Sequence, residues 1–281
     1  MDFNIQLGAE VERNVLVALA EDIGSGDLTA QLTPSRPARG IVITREDAVL
    51  CGTAWFDACF HRIDPSAKIV WSAHDGDLIT AGQALCEINA DTRALLTAER
   101  SALNFLQLLS GTATTTRIFA GLVSHTQAHI VDTRKTLPGL RLAQKYAVHC
   151  GGGYNHRIGL YDGILIKENH IIAAGGISQA YAQAQALVHG NVFIQVEVET
   201  LDELEEALAC GATMILLDNM TLDQMREAVT INKGRAKLEA SGGVSLESVR
   251  GIAETGVDRI SIGSLTKDVR AIDLSLRHVE A

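Results

Sequence analysis

The stretch Val192-Phe193-Ile194-Gln195-Val196-Glu197-Val198, followed by helical spacing from Leu201 to Ala209 and then by Met214-Ile215-Leu216-Leu217, decides the fold. Two apolar runs of strand length flank a segment with a helical period, as a parallel strand, crossover helix, parallel strand unit requires. Working outward, the alternation repeats. Apolar runs at 128–131, 163–166, 236–238 and 257–262 complete the set, and helices are expected at 139–149, 170–189, 222–231 and 246–254. Six such units in ~150 residues are too few for an eight-fold barrel of ~250. The expected architecture is therefore α/β, an incomplete α/β barrel of about six parallel strands.

Before residue 111 the pattern differs. A helix is expected up to Ala20, carried by Val11, Val15, Leu16 and Leu19, followed by the loop Glu21-Asp22-Ile23-Gly24-Ser25-Gly26-Asp27-Leu28-Thr29. Strand-like runs at 40–50, 67–71 and 84–88 are separated by turns at Asp75-Gly76-Asp77 and Ala81-Gly82-Gln83. From Thr92 to Ala120 the pattern is helical, with Leu95, Leu96, Leu103, Leu106 and Leu109 on one face, and this helix is expected to bridge two domains. The division is an N-terminal α+β open-sandwich domain over 1–110, the barrel over 111–270, and a C-terminal segment, 271–281, packing on the N-terminal domain. The Gly76 to Gly82 hairpin has the outline of a lipoyl or biotinyl carrier, but no lysine stands at its tip to hold a cofactor.

Composition bounds the function. With 281 residues, 47% hydrophobic and 21% charged, the chain has room for one large core and a smaller one. A net charge of -10 with 4% aromatic residues argues against a nucleic-acid surface. Cys51, Cys59, Cys86, Cys150 and Cys210 fall in no CxxC or Cys/His metal spacing, which suits free thiols in a reducing compartment. The first residues lack the pattern of a signal peptide, and no apolar run approaches the roughly 20 residues of a membrane span. A cytoplasmic location is expected.

Against this acidic background, 132–170 is a basic island. It holds Arg134, Lys135, Arg141, Lys145, Arg157 and Lys167 against Asp132, Asp162 and Glu168. Positive charge gathered in this way suits a small, multiply charged anion. In an α/β barrel functional groups come from the carboxyl ends of the strands. Here those ends carry Asp132-Thr133-Arg134-Lys135, Lys167-Glu168-Asn169-His170, Glu197 with Glu199, Asp218-Asn219, Ser241-Gly242-Gly243 and Gly263-Ser264. The glycines of the last two ends, each ahead of an expected helix, suit phosphate binding by backbone amides. Glu197 and Asp218, with Glu199 as the competitor for Glu197, suit Mg²⁺ carried in by a polyphosphate. Arg134, Lys135, His156, Arg157 and Lys167 supply the cationic side, with guanidinium groups matched to carboxylates. His156 sits in the glycine-rich stretch Gly151 to Arg157, read as a loop able to fold over a ligand. Arg141 and Lys145, one turn apart, read as a solvated helix face or the rim of the site. The ligand set is a phosphate, a Mg²⁺-polyphosphate and a carboxylate, which points to phosphoribosyl transfer.

These motifs, Asp132 to Gly139, Gly151 to Arg157, Gly163 to His170, Glu197-Val198-Glu199, Leu217-Asp218-Asn219 and Glu239 to Val244, together resemble the quinolinate phosphoribosyltransferase family. The Glu21 to Thr29 loop and Glu99-Arg100-Ser101-Ala102-Leu103-Asn104 extend the resemblance over nearly the whole chain. It implies conversion of quinolinate and phosphoribosyl pyrophosphate, with Mg²⁺ and no organic cofactor, into nicotinate mononucleotide, CO₂ and pyrophosphate for NAD synthesis. It further implies Arg134, His156, Arg157 and Lys167 around the two quinolinate carboxylates, and Arg100 lent across a homodimer interface. Lys135, Glu197 and Asp218 fall to the catalytic and ribosyl pyrophosphate side, with Glu197 and Asp218 at Mg²⁺ through water. Ser241, Gly242, Gly243, Gly263, Ser264 and Lys267 fall to the phosphates, although Lys267 stands where a number of relatives carry His. Three rival readings fit less well. The family's molybdenum-associated paralogue lacks a reason for an intact dicarboxylate set, a Schiff-base lyase on Lys135 or Lys167 a reason for flanking arginines, and a phosphate-binding module a reason for the acids.

Overall fold

The computed structural model describes residues 3–188, 190 and 192–279. In chain order the elements are α1 (Phe3–Ile23), β1 (Pro37–Thr44), β2 (Ala48–Val49), α2 (Thr53–Ile63), β3 (Lys68–Trp71), β4 (Leu78–Ile79), β5 (Ala84–Asp91) and α3 (Thr92–Val123). There follow β6 (His129–Val131), α4 (Arg141–Cys150), β7 (Gly163–Ile166), α5 (Glu168–Ala174), α6 (Ile177–Leu187), β8 (Phe193–Val198) and α7 (Leu201–Ala209). The last are β9 (Met214–Asp218), α8 (Leu222–Asn232), β10 (Lys237–Ser241), α9 (Val249–Ala253), β11 (Arg259–Ser261), α10 (Ser264–Lys267) and β12 (Leu274–Val279).

Two compact units result, 1–117 with 136–152 and 265–281, and 118–135 with 153–264. Helix α4 thus belongs to the first unit, although it lies in the sequence range expected to be barrel, and α3 runs from the first unit into the second. The first unit carries a four-stranded sheet in the order β12-β1-β5-β3, every pair antiparallel. Strand β12 from the end of the chain is therefore a strand of the N-terminal sheet. On α2, Trp55, Phe56, Cys59 and Phe60 fall on one face and are fully buried against Leu85, Ile88, Leu95, Leu103, Leu106 and Leu109. Each such large apolar side chain contributes about 1.5–3 kcal/mol on burial. The helix starts where it does because Asp75 Oδ1 accepts from the backbone N–H groups of Gly52 and Thr53, both at 3.1 Å. The indole of Trp55 donates to Asn14 Oδ1 at 3.0 Å, so its one polar atom is satisfied inside the core.

The second unit is a six-stranded sheet in the order β6-β11-β10-β9-β8-β7, every pair parallel. Parallel pairing puts all six carboxyl ends along one edge. Helix α7 begins with a capping box in which Thr200 Oγ1 accepts from Glu203 N and Glu203 Oε2 accepts from Thr200 N. Helix α8 begins the same way with Thr221 and Gln224. Among the described residues no helix is long and apolar enough to cross a membrane.

Several sequence expectations are corrected. The helix expected over 170–189 is two helices, because Gly175 at φ 92° closes α5, its N–H bonding back to Ile171 O at 3.0 Å, and Gly176 follows at φ 144°. Its expected end at His189 lies outside the described residues. The helix expected over 246–254 is only α9, and the strand expected over 40–50 is split into β1 and β2. Lys145, expected on a solvated face or at the rim of the site, is fully buried on the inner face of α4.

Gly111 on α3 leaves no room for a side chain, since a Cβ there would lie 2.1 Å from Arg270 O. Gly111→Ala is expected to destabilise the chain by about 1–3 kcal/mol, read as a lowered urea midpoint. An unchanged midpoint would contradict the packing of the C-terminal segment on α3.

Candidate active site at the carboxyl edge of the parallel sheet

The site begins with a buried carboxylate. Asp132, the residue after β6, is fully buried, and its Oδ1 accepts from His156 N at 2.8 Å while its Oδ2 accepts from Asn155 Nδ2 at 2.6 Å. Tyr154 forms a parallel bridge to Val131, donating to Ile130 O at 2.8 Å and accepting from Asp132 N at 3.1 Å. The segment 153–156 is thus pinned beside β6 like a short further strand. The sequence reading of this stretch as a loop able to fold over a ligand is corrected. His156 is buried, with its ring edge against Phe193 at a centroid distance of 5.5 Å.

Pinning this segment fixes Arg157 next to Arg134. Arg157 Nη1 donates to Gly163 O at 2.9 Å, and Arg134 Nε is buried with no hydrogen-bond partner. Burial first, and then the neighbouring Arg134 charge, lower the Arg157 pKa below the usual arginine value, while Asp162 partly opposes them. Two cations held together, one with an orphaned donor, describe a place for an anion. Lys167 directly follows β7, and its Nζ lies 2.6 Å from Glu197 Oε2. The sequence had assigned these two residues to different ligands. Lys167 is about half exposed whereas Glu197 is mostly buried, so solvent screens this pair chiefly from the lysine side. Glu199 is exposed beyond the end of β8, its N–H held by Glu203 Oε2 at 2.7 Å, so Glu197 is the acid of this strand that meets the cationic side.

Asp218 ends β9, and its Oδ2 accepts from Asn219 Nδ2 at 2.8 Å. Asn219 adopts φ 54° and donates its N–H to Ser241 O at 3.0 Å, interlocking the turns after β9 and β10. Gly242 is required there, with φ 103° and a hypothetical Cβ only 2.1 Å from Asn219 Oδ1. The amides of Gly242 and Gly243 belong to a loop, because α9 starts only at Val249, and not to a helix terminus as expected. A Cβ on Gly263 would meet Lys135 Cδ at 2.9 Å and Thr133 Oγ1 at 3.7 Å, so the Lys135 side chain lies over Gly263, next to Ser264. The cation after β6 thus meets the glycine turn after β11. Arg100 and Lys267 lie in the first unit. Arg100 is exposed on α3, and Lys267 ends α10 with Nζ 3.6 Å from Asp268 Oδ2.

Sequence reasoning missed the groups beneath the site. Gln195 is fully buried, and its Oε1 lies 2.7 Å from His156 Nε2 while its Nε2 has no partner. Glu239 is also fully buried, 3.6 Å from His156 Nε2 and 2.9 Å from Arg259 Nε. The one available signal was a Gln or Glu at an inward position of a parallel strand, where apolar residues predominate.

Comparison with known proteins settles the family. The quinolinate phosphoribosyl transferase N-terminal domain matches residues 27–110 and the C-terminal domain of the same family matches residues 112–277. The chain belongs to the quinolinate phosphoribosyl transferase family. Among family relatives, a probable nicotinate-nucleotide pyrophosphorylase [carboxylating] of Bacillus subtilis is 42% identical over 257 residues, 91% of this chain and 89% of that protein. The solved nicotinate-nucleotide pyrophosphorylase from Francisella tularensis is 46% identical with a TM-score of 0.94, covering 96% of each chain. NadC from Streptococcus pyogenes is 38% identical with a TM-score of 0.92, covering 96% of this chain and 97% of that one.

Gly263→Ala has an ordinary backbone to occupy and a flexible lysine to displace. It is expected to change stability by no more than about 0.5 kcal/mol, while weakening pyrophosphate binding several-fold in calorimetry. Unaltered binding would place Lys135 outside the anion site.

Proposed function

We propose that the chain transfers the phosphoribosyl group of phosphoribosyl pyrophosphate to quinolinate, with decarboxylation, giving nicotinate mononucleotide, CO₂ and pyrophosphate for NAD synthesis. The observation that carries this reading is the Arg134 and Arg157 pair, mutually repelling cations with a buried, partnerless Nε, a charge arrangement matched by adjacent carboxylates. The activity for which the relatives are named supports it. The assigned roles are Arg134, Arg157 and Lys167 at the carboxylates with His156 behind them, Lys135 at the pyrophosphate, and Ser241, Gly242, Gly243, Gly263, Ser264 and Lys267 at phosphate. Arg100 is assigned to the quinolinate of a partner subunit in a homodimer. The location is assigned to the cytoplasm.

Glu197 and Asp218 end neighbouring strands, and their oxygen donors suit a hard divalent cation. They would hold Mg²⁺ through water, which when bound neutralises pyrophosphate charge. The chain's own residues do the rest. Arg134 and Arg157 fix the pyridine ring so that its nitrogen faces the ribose, an entropic contribution made before reaction. As the bond to pyrophosphate lengthens, Lys135 takes up the leaving charge and the Glu197 and Asp218 carboxylates stabilise positive character at the ribose. Lys167 exchanges its ion pair with Glu197 for a substrate carboxylate, which releases Glu197 toward the ribosyl side. After nitrogen alkylation the carboxylate next to the nitrogen leaves as CO₂, the electron pair of the broken C–C bond stays on that ring carbon beside the positive nitrogen and takes up a proton from solvent, and no protein nucleophile is required.

Incubation with quinolinate, phosphoribosyl pyrophosphate and Mg²⁺ is expected to release CO₂ in step with pyrophosphate; absence of CO₂ contradicts the reading. Arg134→Ala removes charged hydrogen bonds worth about 1.5–3 kcal/mol, so the quinolinate KM is expected to rise roughly ten- to a hundredfold. The phosphoribosyl pyrophosphate KM should move little, and equal rises in both would reject the assignment.

A further inference from the structure

Gln195 is not among the groups given a role above, yet its side chain sits under the carboxylate-binding cations. The Arg157 backbone N–H donates to His156 Nδ1 at 2.7 Å, which requires a lone pair on Nδ1. A neutral ring bonded in this way carries its proton on Nε2, and Nε2 lies 2.7 Å from Gln195 Oε1. The opposite amide orientation would point a donor at Nε2 and place the ring proton on Nδ1, against the Arg157 N–H. Glu239 is the competing acceptor, but it stands farther off at 3.6 Å and its other oxygen is engaged by Arg259 at 2.9 Å. The carboxamide is fully buried and its Nε2 has no partner. Burying an orphaned donor costs about 1–3 kcal/mol, a penalty that a methionine or leucine in the same space would not incur.

We infer that Gln195 is a positioning residue that holds His156 by its Nε2–H, and through the Nδ1 bond holds Arg157 in place for the substrate carboxylate. The relay runs from Gln195 Oε1 through the imidazole to the Arg157 backbone. From there it reaches the guanidinium, which is fixed at its other end by Gly163 O. Phe193 against the ring edge and Asp132 on the His156 N–H restrict the plane in which the imidazole can lie. Support of this kind keeps a binding group within the few tenths of an ångström that recognition needs. The inference rests on the proposed reaction for its kinetic consequence but not for its tautomer.

Two measurements test it with the full chain. In protein labelled with ¹⁵N-histidine, the wild-type His156 signal, identified by its absence in His156→Gln, is expected to show a proton on Nε2 and none on Nδ1. In Gln195→Met, which keeps volume and loses the acceptor, the Nε2 proton is expected to lose its hydrogen-bonded shift while Nδ1, still accepting from the Arg157 N–H, stays unprotonated. The same variant is expected to raise the quinolinate KM roughly five- to tenfold, the consequence of one lost hydrogen bond, with kcat and the phosphoribosyl pyrophosphate KM nearly unchanged. Gln195→Glu, which keeps an acceptor facing Nε2, is expected to restore most of the quinolinate affinity. A wild-type proton on Nδ1, an unchanged quinolinate KM in Gln195→Met, or equal rises in both KM values would overturn the inference. If Gln195→Met does not fold, the wild-type tautomer and Gln195→Glu decide the matter. If the protein does not turn over quinolinate at all, the proposed reaction fails while the tautomer measurement still stands.

Discussion

Everything at the site depends on the carboxylate of Asp132. A fully buried acid is tolerated only when its oxygens are bonded, and Asp132 meets that condition by binding the backbone of His156 and the side chain of Asn155. Those bonds tie the end of β6 to a segment that would otherwise be a glycine-rich loop. They hold two consecutive residues, buried His156 and Arg157 with its guanidinium on Gly163 O, beside the end of β6. Removing that carboxylate would strand a backbone donor in the interior and release both residues at once.

From this constraint follows an uneven distribution of charge along one edge of a parallel sheet. Burial and the neighbouring Arg134 charge both disfavour the Arg157 cation, and Asp162 opposes them only in part. Lys167 leans across to Glu197, linking the cationic side to the acids at the ends of β8 and β9. Lys135 lies over Gly263, linking the first strand end to the last glycine turn. The last two contacts join neighbours in the order β6-β11-β10-β9-β8-β7, whereas Arg134 and Arg157 are brought together by the 153–156 segment pinned beside β6.

Much of this was legible in the sequence because strand ends announce themselves. Apolar runs such as Gly163 to Ile166 stop at Lys167, and parallel pairing places such ends together whatever the register. The pair Gly175-Gly176 carried a stop signal for α5 that helical periodicity on either side masked. Lys145 was misplaced because charge alone suggests solvent, whereas burial depends on what α4 packs against. Gln195 and Glu239 were illegible as site residues for the same reason. Their partners lie far away in sequence: strand pairing brings Arg259 to Glu239, and the pinned 153–156 segment brings His156 to Gln195. The buried orphan of Arg134 Nε is likewise a property of packing that no residue pattern encodes.

The proposed reaction requires Arg134 and Arg157 to read two adjacent carboxylates. Calorimetry on the wild-type protein with quinolinate and with nicotinate, which has one carboxylate fewer, compares them on the same ring. A lost set of charged hydrogen bonds is worth about 1.5–3 kcal/mol, so quinolinate should bind at least ~tenfold more tightly. Equal affinity for the two would show that Arg134 and Arg157 do not read the second carboxylate, and would contradict the account.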